Sequence, residues 1–268
     1  MYRSICGRLA FIAAAGFSLV SLSASADTIT LTGTLRDFAY GGPTGALGLS
    51  PHPDFEATVS GLTPGMVQST LGADGKPVFA GGGSVTSAAT FDQWYRDVPG
   101  VNASKSYSIN LTSGAGGVYT YSNSAFFPLD NDLNGNQGLD HNFHFTYELA
   151  GTFGYTAGMN QTFAFSGDDD VWVFLNGKLA IDLGGIHGAT SQSVNLDTVA
   201  ASLGLVDKNN YAFNMFYAER HTTESNFRID TSLPLEVVPE PSTYAAMMAG
   251  LAFVGFMGYR RRNAVTAS

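Results

Sequence analysis

Phe163-Ala-Phe-Ser-Gly-Asp-Asp-Asp-Val-Trp-Val-Phe-Leu-Asn-Gly-Lys-Leu-Ala-Ile-Asp-Leu-Gly-Gly185 is the stretch on which the fold class turns. Thr162-Phe-Ala-Phe-Ser166 alternates polar and apolar residues, the period of a strand with one wet face. Val171 to Asp182 reads as two strands around Asn176-Gly177. That dipeptide is the strongest short hairpin signal, because both turn positions need a positive φ that Asn and Gly tolerate. Between these strands stand Asp168, Asp169 and Asp170. Their mutual repulsion is costly unless a cation sits among them, and no Lys or Arg falls within 163–177. Calcium takes about six to eight oxygens, and adjacent carboxylates at a strand end deliver several of them together. The competing reading is a solvated acidic turn.

Outward from this stretch, strand-like segments recur with turn residues between them. They are Thr28–Phe38, Tyr107–Leu111, Phe143–Tyr147, Tyr211–Phe216 and Asn226–Leu233. Thr90-Phe-Asp-Gln93 has the form of a capping box opening a short helix through Tyr95. Asp197–Leu203 reads as a second short helix, with a capping Asp and a stop at Gly204. Residues 39–53 read as a long loop. Many short strands and little helix predict an all-β antiparallel β-sandwich in one domain.

Composition narrows the function. The formal charge is −9 over 268 residues. This excludes a nucleic-acid binder held by phosphate contacts and argues against docking on an anionic membrane. Of the 22 acids, 16 are Asp, a bias toward turns and hard oxygen ligands. Cys6 is the only cysteine, so the remainder has no disulfide, thiolate metal site or cysteine nucleophile.

The two ends read as sorting elements. Arg3 and Arg8, an apolar run Leu9–Leu22 and the small residues Ala24-Ser25-Ala26 predict a signal peptide over 1–26, cleaved after Ala26. The domain is expected over 27–234 and a linker over 235–242. Residues 243–268 are expected as a transmembrane sorting tail with a hydrophobic helix. In the tail, Tyr244–Tyr259 is uncharged and Arg260, Arg261 and Arg262 form a stop-transfer cluster. With Pro239, Glu240 and Pro241 before it, this end resembles the PEP-CTERM sorting signal. That resemblance implies recognition and cleavage by an exosortase, transient inner-membrane insertion, then release to the cell surface or an extracellular matrix. A permanent single-span anchor is the alternative.

The interior resembles the fibro-slime domain, a branch of the protective-antigen-type β-sandwich. The matching segments include Thr34–Phe38, His52–Glu56, Phe91–Tyr95, Phe126–Asp130, His141–Thr146, Gly167–Phe174, Asp182–Gly185, Ala218–His221 and Ser225–Ile229. In the lectin relatives a pair of neighbouring aspartates, often joined by a cis peptide, binds calcium that holds sugar hydroxyls. The resemblance places that pair at Asp168-Asp169, with Asn226 and Glu224 as further metal ligands from a later loop. Asn176 and His187 are candidate ligand-binding residues beside them.

Other candidates are weaker. Asp130-Asn-Asp-Leu-Asn-Gly135 copies the opening of a helix-loop-helix calcium loop, but its closing glutamate would fall at His141, so an Asx-rich turn is expected. His141 and His144 stand three apart where a strand is expected, which would place them on opposite sides. Trp94 and Tyr95 are expected in the core, and Tyr40 is a candidate sugar-stacking residue. No nucleophile elbow, phosphate loop or metalloprotease motif is present. The expectation is a non-enzymatic, exported protein that binds carbohydrate or matrix glycan with calcium, in adhesion or biofilm. A matrix protein with purely structural calcium is the alternative, and a glycan hydrolase a weaker one.

Overall fold

The computed structural model describes residues 27–237. The expected signal peptide, including Ala26, lies outside them. So do Pro239, Glu240, Pro241, the hydrophobic run and Arg260, Arg261 and Arg262. Among the described residues no helix is long and apolar enough to cross a membrane.

The described residues form eleven strands: β1 Thr28–Phe38, β2 Asn102–Ser113, β3 Tyr119–Asn123, β4 Phe145–Tyr155, β5 Thr162–Gly167, β6 Asp170–Leu175, β7 Lys178–Leu183, β8 Thr190–Asn195, β9 Asn209–Glu219, β10 Phe227–Thr231 and β11 Leu235–Val237. Their order in space is β7-β6-β9-β4-β1-β2-β3-β10-β5-β8, with β11 beside β4. Every ladder is antiparallel. The continuous sheet folds over on itself as an all-β sandwich. Its two ends, β7 and β8, meet where the Asp182 N–H donates to Gln192 Oε1 at 2.9 Å.

The interior is packed by Leu35, Leu111, Phe126, Phe145, Tyr147, Val173, Met215 and Phe227, among others. A second cluster covers the outer face of one layer. Trp172, Phe174, Phe216 and Ala218 from the sheet meet Phe55, Met66, Phe91, Trp94 and Tyr95 from the long connection 39–101. Strand β6 is therefore buried on both sides. Val171, Val173 and Leu175 face the interior, while Trp172 and Phe174 face the covering segment. This explains why β6 reads as a continuous apolar run whereas β5 alternates.

The sequence expectations hold for β1 and for the hairpin, where Asn176 and Gly177 take φ of 53° and 71°. The first helix differs. It spans Ala88–Phe91 (α1), and its capping box runs from Ser87 to Thr90. Thr90 is the third helical residue, not the cap, because Ser87 Oγ accepts its N–H at 3.1 Å. The second helix, Leu196–Leu203 (α2), is capped by Asn195 rather than by Asp197. Asp197 instead accepts the N–H groups of Gly158 and Asn160 and the Tyr155 hydroxyl. The loop expected at 39–53 continues to residue 101 apart from α1. Strand β11 carries the sheet three residues into the stretch expected as linker.

Candidate functional site

Only Asp168 and Asp169 lie between β5 and β6, which stand near opposite ends of the strand order, so these two residues form the turn where the chain passes from one part of the sheet to the other. Three segments close around them: the 184–188 loop after β7, the 219–226 loop after β9, and part of the long connection around residue 59. They enclose a cavity of about 330 Å³ lined by Val59, Asp168, Asp169, His187, His221 and Glu224, among others. Two glycines permit the approach. A Cβ at Gly167 would collide with the Asn226 carbonyl oxygen, and one at Gly185, where φ is 106°, with that of Gly61.

The three aspartates have different partners. Asp170 is fully buried and pairs with the equally buried Arg220, Nε to Oδ2 at 2.5 Å. Its other oxygen accepts the Gly185 N–H at 2.6 Å. The Arg220 guanidinium also donates to the carbonyls of Gly83, Ser84 and Asp54 and lies 4.6 Å over the Trp94 ring. The expectation that no basic residue offsets the run is thus corrected. The cation arrives from fifty residues downstream, across the β6–β9 ladder.

Asp168 and Asp169 face the cavity. Asp169 adopts φ 55°, a left-handed conformation that a non-glycine residue takes only when its surroundings hold it there. The described residues contain no cis peptide, so the Asp168–Asp169 bond is trans. The Asp169 carboxylate accepts the Arg220 N–H at 2.7 Å, and its own N–H donates to the His187 carbonyl at 3.1 Å. Asp168 accepts both the backbone and the side-chain N–H of Asn226, and the same amide reaches Glu224 Oε2 at 3.3 Å. Glu219, fully buried, accepts the Tyr217 hydroxyl on one oxygen at 2.8 Å. Its Oε1 has no donor.

Burial dominates the electrostatics. It raises the Asp168 carboxyl above its usual range. Burial and the adjacent Asp170 charge push Asp169 up to about 7. Burial, then the charges of Asp169 and Asp168, hold Glu219 well above the carboxylate range. Stripped of water and short of donors, these acids form a site that a cation would relieve. The donor set is all oxygen, which suits a hard ion, and the orphaned Glu219 oxygen supports that fit. Among the described residues no three His, Cys, Asp or Glu side chains form a metal cage by themselves. An ion here needs amide, backbone or water oxygens to complete its shell.

The other candidates fall elsewhere. Asp168, Asp169, Asn226, Glu224 and His187 converge. Asn176 does not: it closes the hairpin at the far end of β6, roughly 20 Å away at the rise of an extended strand. Its side chain donates to the Leu203 carbonyl at 2.9 Å. In the Asp130–Gly135 loop, Asp130 accepts the Asn142 N–H and pairs with His141 Nδ1 at 2.6 Å, while Asp132 pairs with Lys105. It is an Asx-rich turn. His144 contacts Glu56 at 3.0 Å under the Tyr40 ring, whose face is therefore already stacked. Trp94 and Tyr95 are buried in the core. Glu219 and Arg220 fall within the matching segment Ala218–His221 but were not expected as site residues. The signal available was a charged triplet, Glu219-Arg220-His221, directly after an apolar strand.

Residues 130–245 match the family model for the PA14 domain, and residues 237–262 match that for the PEP-CTERM protein-sorting motif. The chain carries a PA14 domain and a PEP-CTERM motif. Protein psiQ of Dictyostelium discoideum is 44% identical over 204 residues, covering 69% of this chain and 20% of that protein. Protein psiC of the same organism is 35% identical over 251 residues, 86% of this chain and 45% of that one. The chain thus spans about a fifth to under a half of these relatives. Among solved structures, a PA14 sugar-binding domain from an RTX adhesin covers 78% of this chain and 94% of its own, at 13% identity and a TM-score of 0.32. That score is too low to carry a functional argument. The matched segment begins at the Asp130 loop and includes every acid that lines the cavity, Asp168, Asp169 and Glu224.

Proposed function

We propose that this is an exported cell-surface or matrix protein whose PA14 domain binds carbohydrate through a calcium ion held at the cavity floor. The observation that carries the reading is the set of dehydrated acids, Asp168, Asp169 and Glu219, gathered beside a cavity with one carboxylate oxygen left without a donor. Asp168 and Asp169 would hold the ion, with Asn226 and Glu224 supplying oxygens from the neighbouring loop and Glu219 supporting from below. When bound, calcium neutralises the floor and offers open positions to sugar hydroxyls. The chain's own part is to fix the Asp168-Asp169 turn. Arg220 does so through its backbone N–H to Asp169 and its guanidinium on Asp170. The matched sorting motif supports export and processing by an exosortase. Surface retention of a glycan binder fits a role in adhesion or biofilm assembly, and the acidic charge fits no nucleic-acid partner.

A second reading is favoured by the bonds from Asn226 to Asp168, which already tie two loops together. In that reading calcium only stiffens the junction in a matrix protein. A glycan array probed with the secreted protein, with calcium and with chelator, separates the two. Binding lost on chelation supports the first. Binding unaffected by chelation, with a melting temperature that still falls, supports the second.

A further inference from the structure

The cavity has one wall that its acids do not explain. Val59 lines it and is 58% exposed, an unusual place for an aliphatic side chain on so acidic a surface. Its segment is held firmly. The Gly61 N–H donates to the Ile186 carbonyl at 2.9 Å, the Thr63 N–H to the Gly184 carbonyl at 2.6 Å, and the Ile186 N–H to Ser60 Oγ at 3.0 Å. Gly185, at φ 106°, has no side chain to keep the two segments apart. Val59 is thereby fixed beside Ile186 at the mouth of the cavity. The acids come from other segments: Asp168 and Asp169 from the β5–β6 turn, and Glu224 from the loop after β9. The cavity therefore has an apolar side and an acidic side, at the small end of ligand-pocket volumes.

Resting on the saccharide reading above, we infer that Val59 is a specificity-determining residue that selects pyranosides presenting a C–H face. A pyranose has the required two-sided chemistry, hydroxyls along one edge and a hydroxyl-poor C–H surface beside it. The hydroxyls face the acidic side and the C–H surface packs on Val59, where water is released from both. Val59 lies outside the matched PA14 segment of 130–245, so the long connection supplies selectivity to a floor built by the domain.

Titration of the secreted protein in calcium with methyl glucoside, methyl mannoside and methyl galactoside tests this. At least one of these neutral glycosides is expected to bind. Val59→Ser is expected to raise the Kd of the neutral ligand about fivefold, the order expected for losing part of one aliphatic contact. Val59→Ile keeps it. The calcium-dependent rise in melting temperature stays unchanged in both variants, which shows that the fold and the floor are intact. Binding that Val59→Ser leaves untouched overturns this inference while the saccharide reading stands. Failure of every glycoside to bind overturns both.

Discussion

Two acidic runs in this protein look alike in sequence and behave differently in the fold. Asp130-Asn-Asp-Leu-Asn-Gly135 satisfies its carboxylates with donors that surround it: His141 and the Asn142 N–H for Asp130, and Lys105 for Asp132, whose carboxyl is held below its usual value by that ammonium. Asp168-Asp169-Asp170 has only one cation, Arg220, and Asp170 takes its side chain. The other two acids are left dehydrated at a cavity, next to a third, Glu219. A carboxylate cluster becomes a binding site when burial outruns the supply of donors. Spacing along the chain says nothing about that balance.

The largest expected effect comes from attacking the one cation. Arg220→Leu leaves Asp170 buried without its partner, a change that costs about 3–5 kcal/mol where one member of a buried pair is removed. Urea denaturation reads it. A loss below about 1 kcal/mol would mean that the acidic run does not depend on Arg220. Next is the metal. Linkage gives a stabilisation of about 2.7 kcal/mol when free calcium is a hundredfold above its Kd. The melting temperature is expected to rise in millimolar calcium and little in magnesium, which resists irregular protein cages. Asp168→Asn with Asp169→Asn removes that rise. If the double variant and the parent melt alike in calcium and in chelator, the run holds no ion and the contrast between the two regions collapses.

A third effect sharpens the comparison through pH, because each region holds one carboxyl raised to about 7. These are Asp169 in the cavity and Asp37 beneath the 130–142 loop, where it accepts the Asn134 N–H and the Asn142 side-chain amide. Burial is the first cause in both. A carboxyl whose folded pKa is raised favours the folded state when protonated. Its contribution is therefore complete below the unfolded value near about 4 and is lost as pH rises through about 7. In chelator, stability is expected to decline across that window. Calcium cancels the share of Asp169 and leaves that of Asp37. A decline that calcium does not reduce would place the ion elsewhere. The smallest effect is expected from Asp130→Asn with Asp132→Asn. Both partners are partly exposed, so the cost stays within about 1 kcal/mol and the calcium response is unchanged.

Much of the fold was legible because strands announce themselves by alternation and turns by composition. Thr28–Phe38 matches β1 to the residue, and Asn176-Gly177 closes the β6–β7 hairpin. The short pieces β3, β8 and β11 were not read, being polar or only a few residues long. The cap of α1 was misplaced by three residues, since Ser87 and Thr90 are both acceptable caps and only the backbone bond from Thr90 distinguishes them. Within the site, Asp168, Asp169, Asn226, Glu224 and His187 came from the sequence and its resemblance, and they do converge. Asn176 was drawn in by proximity along the chain, but an extended strand carried it to the far end of the sheet.

The order of strand-like segments, the tight hairpin, the surplus of Asp and the sorting motifs were determined by the sequence alone, because each rests on local periodicity, turn stereochemistry or composition. Only the tertiary structure decided that Arg220 pairs with Asp170, that Glu219 keeps an oxygen without a donor, and that Val59 stands at the mouth of the same cavity. The first and third join residues fifty or more positions apart, and the second is the lack of a donor at a fully buried oxygen. Their existence depends on which strands pair and how deeply each side chain is dehydrated, and neither quantity is encoded in any single segment of the chain.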